Sequence, residues 1–429
     1  MSDETNMGHM MLIVSRQSPE SYGPAGDRIR HMALASGAVF GKALVLALRN
    51  NSKRTTKKVN SNVLLHEVIL RRESPYPINA YFDPIKFILL SVHSFFLSLR
   101  YKPSYIVASM PPLEVGVSAW FVAKILGINL FADLRDDWES VIEQELPRYI
   151  PAKLLRPVFW IASKVYSSAT AILVATPTIA ERIKKRGIKT PVILAFNGAN
   201  TSVFFPRDEA SRKKIRTKYA LPQKKTVVLY CGSGMNSYYR LDYVLSCVRS
   251  MSDDMKGRVF FVFYLHSGIE NLRKMKEELA ISDDVVEVRE PVPRVVLGEV
   301  MAACDVGLVP FKDNPYLLCA RSTKLYEYLS AGLYVISSGP KGGELDQIFS
   351  LKPKLGSFSR PYTKNLLSVL LRTVKNGAYM FDDSSRFLRH KFILKNYERR
   401  AIMTKVMSAL RSLSSSLRDK DTRAMRRMH

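Results

Sequence analysis

The stretch Arg321–Gly332, RSTKLYEYLSAG, sets two small hydroxyls, Ser322 and Thr323, beside Lys324 where a helix should start, places Glu327 a turn further on and stops on a glycine. Free first-turn amides, the positive end of the helix dipole and Lys324 together suit an anion. Glu327 lies four residues after Thr323 and shares its face. A carboxylate there can accept two hydroxyl hydrogen bonds, as from a ribose diol, while Lys324 and the helix end hold phosphates beyond it. The other possibility is an ordinary surface pair between Lys324 and Glu327, with Leu325 and Leu329 facing the core.

Three further stretches could do chemistry. After the apolar run MLIVS comes SYGPAGDR, in which Gly23 and Gly26 let backbone approach a phosphate and Arg28 supplies charge, although it is no G-x-G-x-x-G fingerprint. A plain strand-to-helix turn remains the alternative. LRDDWES puts Asp133, Arg135, Asp136, Asp137 and Trp138 at a strand's carboxyl end, where charge is costly unless paired or used; an Arg135–Asp pair closing the loop is the simpler reading. In VVLYCGSGMNSYYRLDY, Gly232, Ser233 and Gly234 follow an apolar strand, and Arg240 lies six residues on, an arrangement suited to a pyrophosphate.

The elements that must position these groups alternate along the chain. Short β-branched runs (MLIVS, ALVLAL, SYIVAS, INLFADL, AILVAT, PVILAF) are separated by helix-period segments, which implies parallel sheet covered on both faces. NGANTSVFFP breaks the pattern, and the alternation restarts at TVVLYCGSG. We expect an α/β protein with two Rossmann-like domains facing across a cleft: residues 1–205 on the acceptor side, 206–385 on the donor side, and a C-terminal helix and basic tail over 386–429. That helix should bury Ile402, Val406, Ala409, Leu410 and Leu413, with loose chain beyond Ser414. Ligands of such sheets collect at the carboxyl ends of the strands, where all four candidate stretches fall.

Composition narrows the partners. A chain of 429 residues that is 47% hydrophobic is a folded protein, and its net charge of +27 calls for an anionic partner: nucleic acid, an acidic membrane or phosphorylated substrate. Residues 386–429 hold +10 of that, from 13 basic against 3 acidic side chains. The apolar runs FILLSVHSFFLSL and WFVAKILGINLFA fall short of the roughly 20 residues that cross a bilayer, and the acidic start is unlike a signal peptide, so the expected location is cytoplasmic. Four scattered cysteines and seven dispersed histidines suggest neither disulfides nor a metal site.

STKLYEYLSAG resembles the P-x-K-x-x-E-Y-x-A-x-G helix of family 4 glycosyltransferases, retaining enzymes of the GT-B fold. GPAGDRIRHMALA is similar to their N-terminal glycine loop. SMPPLEVGVSAWFVAKILGINLFADLRDDW resembles a segment of the branch acting in surface polysaccharide assembly, and FNGANTSVFFP and VMAACDVGLVPF also match in order. The resemblance implies transfer of a hexose-type sugar from a UDP- or GDP-sugar, with retention and without a metal cofactor. By the same resemblance Glu327 binds the ribose, the Ser322–Lys324 turn and the Gly232–Gly234 loop hold the diphosphate, and Arg135 and Asp136 face sugar and acceptor. The chain departs from the pattern at Cys319, where the family often has a first glutamate, and at Tyr334 in place of a proline; Arg240 stands in for one of two missing cations, and a G-x-G survives only as His266–Gly268. RYIPAKLLRPVFWIASKVY and the cationic tail suit peripheral attachment to an anionic inner membrane face, where a lipid-linked acceptor would lie. A catalytically inactive assembly partner and a nucleic-acid-binding protein are the alternatives, the latter without zinc finger or RNA-binding signature.

Overall fold

The computed structural model describes residues 9–21, 23–49, 55–69, 82–148, 151–234, 238–361 and 363–426. The chain divides into two compact units, one formed by Met1–Phe196 with Arg399–His429 and the other by Asn197–Glu398.

The first unit is built on an eight-stranded sheet. Its strands are β1 (Met10–Ser15), β2 (Lys42–Arg49), β3 (Thr55–Asn60), β4 (Val63–Ile69), β5 (Tyr105–Met110), β6 (Asn129–Leu134), β7 (Ala171–Val174) and β8 (Val192–Leu194). They are ordered β3-β4-β2-β1-β5-β6-β7-β8 and all pairs are parallel except β3–β4. The central strands are apolar throughout because both faces are covered. Alternate residues such as Met11, Ile13, Tyr105 and Val107 share one core with the helices Pro24–Phe40 and Arg399–Arg426. The helices Pro84–Tyr101, Leu113–Leu126 and Ala152–Ser168 pack side by side and against β1, β2, β5 and β6, and so cover the opposite face.

The second unit has a six-stranded parallel sheet in the order β11-β10-β9-β12-β13-β14. These are β9 (Thr226–Ser233), β10 (Val259–Ser267), β11 (Val286–Arg289), β12 (Val306–Pro310), β13 (Tyr334–Ser338) and β14 (Gly356–Ser359). Both units therefore have the doubly covered parallel sheet expected from the alternation.

The C-terminal segment differs from expectation. Residues 386–429 are not one appendage: the helix Asp383–Tyr397 belongs to the second unit, whereas Arg399–Arg426 returns to the first, which also places the other boundary at Phe196 rather than 205. The reason is Arg386 and Arg389, whose buried guanidiniums donate to Ala302 O, Cys304 O and Gly332 O, all within the second unit. In the last helix Met403 and Met407 join Val406 and Leu410 in the core, while Ala409 is exposed. The helix continues past Ser414 to Arg426, although the side chains beyond 416 lie outside the description.

One buried acid is not compensated. Glu114, in the first turn of Leu113–Leu126, is fully buried, and neither carboxylate oxygen has a hydrogen-bond partner among the described residues. Burial pushes its pKa up to about 7, against a smaller opposing pull from its own backbone N–H, Arg16 and Lys86. The folded state thus binds this proton more tightly than the unfolded chain, so stability falls as pH rises from about 4.5 to 7 and is level above. Glu114→Gln removes that slope: thermal unfolding between pH 5 and 8 should flatten, and at pH 8 the variant should exceed wild type by up to about 3 kcal/mol.

Candidate functional site

In the second unit the two stretches singled out at strand ends meet. Gly232, the last residue but one of β9, has φ of +145°, and a Cβ there would fall 2.6 Å from Lys324 Cε and Nζ, so glycine is what lets the lysine lie across the strand end. Lys324 sits in the first turn of the helix Thr323–Ser330, which follows β12 through a short 3-10 turn, Pro315–Cys319. Its ammonium donates to Tyr239 Oη at 2.8 Å and lies 4.0 Å from the Tyr239 ring centroid and 5.1 Å from that of Tyr230. The tyrosines contact each other edge to face, Tyr230 donates to Ser233 O at 2.7 Å, and Tyr239 Oη is 3.4 Å from Ser322 Oγ. Glycine loop, lysine and hydroxyl are thereby fixed as one cluster. The tyrosines escaped notice in the sequence, where only the aromatic pair just after the glycine loop hinted at them.

Around this cluster the other candidates take definite places. Gly234 donates its N–H to Ser267 O at 2.8 Å, and a Cβ on it would fall 2.6 Å from that oxygen, so its role is close packing of β9 on the end of β10. Residues 235–237 of the same loop lie outside the described residues. Ser322 holds the N-cap position, but its hydroxyl makes no capping bond, and Thr323 is half-buried. Neither hydroxyl is spent on closing the helix. Glu327 is buried, and its Oε1 accepts from Arg294 Nη2 at 2.8 Å. Lys324 and Glu327 therefore do not form the surface pair that their spacing allowed; each has its own partner. Arg294, which the sequence reading missed, opens the helix Arg294–Ala303. Arg240 is held by Asp242, its Nε 2.9 Å from each carboxylate oxygen, and so is charge-paired at home. Cys319, at the position of the absent acid, is buried. Desolvation and then Lys324 lower the pKa of His266, which keeps that ring neutral near pH 7.

The helix is fixed at its far end as well. Gly332 has φ of +88° and Leu333 N–H reaches Tyr328 O at 2.9 Å, a left-handed glycine stop, and Arg389 Nε donates to Gly332 O at 3.0 Å.

The first unit departs from the reading in one respect that matters. Arg28 is not presented to a ligand: it is buried, with Nη2 2.5 Å from Asp133 Oδ1, and Nη1 donating to Ala195 O at 2.8 Å. Ser109 Oγ adds a bond to Asp133 Oδ2 at 3.1 Å. The ion pair ties the first helix to the end of β6, and a buried arginine with its charge so satisfied has nothing left for a phosphate. Gly26 is required by the turn, since a Cβ would fall 2.4 Å from Ser21 O, and Gly23 begins the helix with φ of +112°. Arg135 donates to Met110 O at 3.2 Å and to Pro111 O, and no salt-bridge contact joins it to a neighbouring aspartate among the described residues, although Asp136 is the charge that acts on it most strongly. Asp137 pairs with Arg182, and Asp136 is exposed.

Two doubly covered parallel-sheet units with this connectivity define the GT-B class of glycosyltransferase folds. No protein-family model and no curated protein matches the chain. Among solved structures it is similar to sucrose-phosphate synthase from Thermosynechococcus elongatus, with a TM-score of 0.76 at 14% identity over 95% of this chain and 100% of that one. It is also similar to HepE from Anabaena in complex with UDP and glucose, with a TM-score of 0.65 at 12% identity over 94% and 100% of the two chains. WaaG, a glycosyltransferase involved in lipopolysaccharide biosynthesis, gives 0.66 at 14% identity over 93% and 99%.

The Arg28–Asp133 pair yields a direct check. Asp133→Ala strands a buried guanidinium and should cost about 3–5 kcal/mol in chemical denaturation. A loss below 1 kcal/mol would return Arg28 to the list of ligand-binding side chains.

Proposed function

We propose that this chain is a retaining glycosyltransferase that passes a hexose-type sugar from a UDP- or GDP-sugar to a lipid-linked glycan acceptor at the cytoplasmic membrane face. The observation that carries the reading is Lys324 held by two tyrosines against Gly232, with the N-terminus of its own helix open beside it. Such a cluster is a fixed positive surface with close backbone access, which is what a diphosphate requires.

The chemistry follows from what these groups can do. When the bond between sugar and diphosphate breaks, negative charge grows on the leaving phosphate. A lysine already oriented by Tyr239 and Tyr230 stabilises that charge without reorganising, as do the first-turn amides at Ser322 and Thr323. Glu327, held rigid by Arg294, accepts from the ribose hydroxyls, which sets the nucleotide's position relative to Lys324. Arg135 and Asp136 take the sugar and acceptor side. The UDP and glucose held by HepE, and the involvement of WaaG in lipopolysaccharide biosynthesis, are in keeping with this donor and acceptor class. A second reading has one observation behind it: buried Cys319 removes a carboxylate from the sugar side, which suits a partner protein that binds donor without turning it over.

Thermal shift against UDP- and GDP-sugars needs no knowledge of the acceptor, and one donor should raise Tm in a concentration-dependent way. Lys324→Ala should weaken that donor roughly 10- to 100-fold while leaving the ligand-free Tm nearly unchanged. Glu327→Ala should abolish transfer in a folded protein; full activity in that variant removes Glu327 from the site. Donor binding without product from any lipid-linked glycan would favour the partner reading.

A further inference from the structure

The helix layer on one face of the first unit has an unusual surface. The helix Pro84–Tyr101 carries Ile85, Ile88, Val92, Phe96 and Leu99 exposed, at three- and four-residue steps that make one continuous stripe about 21 Å long. Each is between 46% and 65% exposed. Leu113–Leu126, packed beside it, adds Phe121 and Ile125, and Ala152–Ser168 adds Trp160 at 63%. Half of the exposed large hydrophobic side chains among the described residues therefore lie on three adjacent helices. Patches of this kind mark a surface that something covers.

The charges identify what covers it. In the three helices the only acidic residue is Glu114, and it is buried. The exposed charges are all cationic: Arg100, Lys124, Lys153, Arg156 and Lys164. Lys124 lies 5.6 Å from the Trp120 ring and Lys164 lies 5.3 Å from that of Trp160, which pairs an ammonium with an aromatic able to sit at a polar–apolar boundary. Apolar stripe, tryptophans and exposed charges of one sign on these three helices are the properties of a surface that rests on anionic lipid, and no helix among the described residues is long and apolar enough to cross a membrane. A protein partner would not need every charge to have one sign, and nucleic acid would not need the aliphatic stripe.

We infer that the outer face of Pro84–Tyr101, Leu113–Leu126 and Ala152–Ser168 is a lipid-docking surface that lies on an anionic bilayer, with the stripe Ile85 to Leu99 inserted and the lysines and arginines at the headgroups. This moves the attachment from the cationic tail and the 152–168 helix alone to a face centred on a segment that looked merely too short to span. It supplies the membrane contact of the transfer reading and rests on that reading only for its purpose.

The test is co-sedimentation of the full chain with phosphatidylcholine vesicles, with and without one quarter phosphatidylglycerol. Wild type should sediment with the anionic vesicles. Ile88→Glu/Phe96→Glu should bind at least about tenfold more weakly with unchanged Tm, since both positions are exposed. Lys124→Glu/Lys164→Glu should lose the preference for phosphatidylglycerol. The inference is overturned if the apolar double variant sediments like wild type, if a DNA duplex competes equally against all three proteins, or if wild type ignores vesicles and dimerises until Ile88→Glu/Phe96→Glu is introduced. Vesicle binding that follows the expected pattern while no nucleotide sugar shifts Tm would uphold the surface and sink the transfer reading.

Discussion

The second unit depends on how the charge at its helix ends is handled. In a parallel sheet with antiparallel helices, helix C-termini gather at the starts of the strands, and their free carbonyls make that edge electronegative. Buried arginines occupy it. Arg216 reaches Ala303 O at 2.9 Å and Asp305 Oδ2 at 2.6 Å, Arg386 donates to Ala302 O and Cys304 O, and Arg389 holds Gly332 O. With one end of Thr323–Ser330 clamped in this way, its other end is a rigid mount, and Lys324 can stay across Gly232 without drifting into solvent.

The same cluster changes how the net charge should be read. A surplus of +27 suggests binding surface, yet Arg28, Arg216, Arg386, Arg389 and Arg399 are all buried. They serve as internal donors to carbonyls and to Asp27, Asp133 and Asp305. Guanidinium suits this use because its planar fork can satisfy several carbonyls at once and it is more weakly hydrated than an ammonium. Of the surplus that faces outward, five cations lie on the three-helix face, whose only acid, Glu114, is buried.

What could be read from the residues depended on range. The parallel sheets were legible because a doubly covered strand must be apolar along its length, and β1, β5, β9 and β12 are. The glycine loop and the helix at 323–330 were legible as local patterns with a shared position at strand ends. Their partners were not: Tyr239 lies 85 residues from Lys324 and Arg294 lies 33 from Glu327, and no local spacing reports such encounters. Arg28 was misread for the same reason, since Asp133 stands 105 residues away. β3 escaped because TTKKVN is polar, as suits the outermost strand of a sheet, and hydrophobic periodicity cannot report it. In the last helix the apolar seam was found, but small Ala409 was taken for a core residue in place of the methionines that do the packing.

The return of the chain to its first unit has a consequence for biosynthesis. The helix Arg399–Arg426 covers Pro24–Phe40, and Arg399 pairs with Asp27, yet all of Asn197–Glu398 is made between the two. At ordinary elongation rates that is a delay on the order of 10 to 40 s. For that interval the apolar side of the first helix lacks the segment that covers it in the finished fold, so completion of the first unit waits on the synthesis of its neighbour.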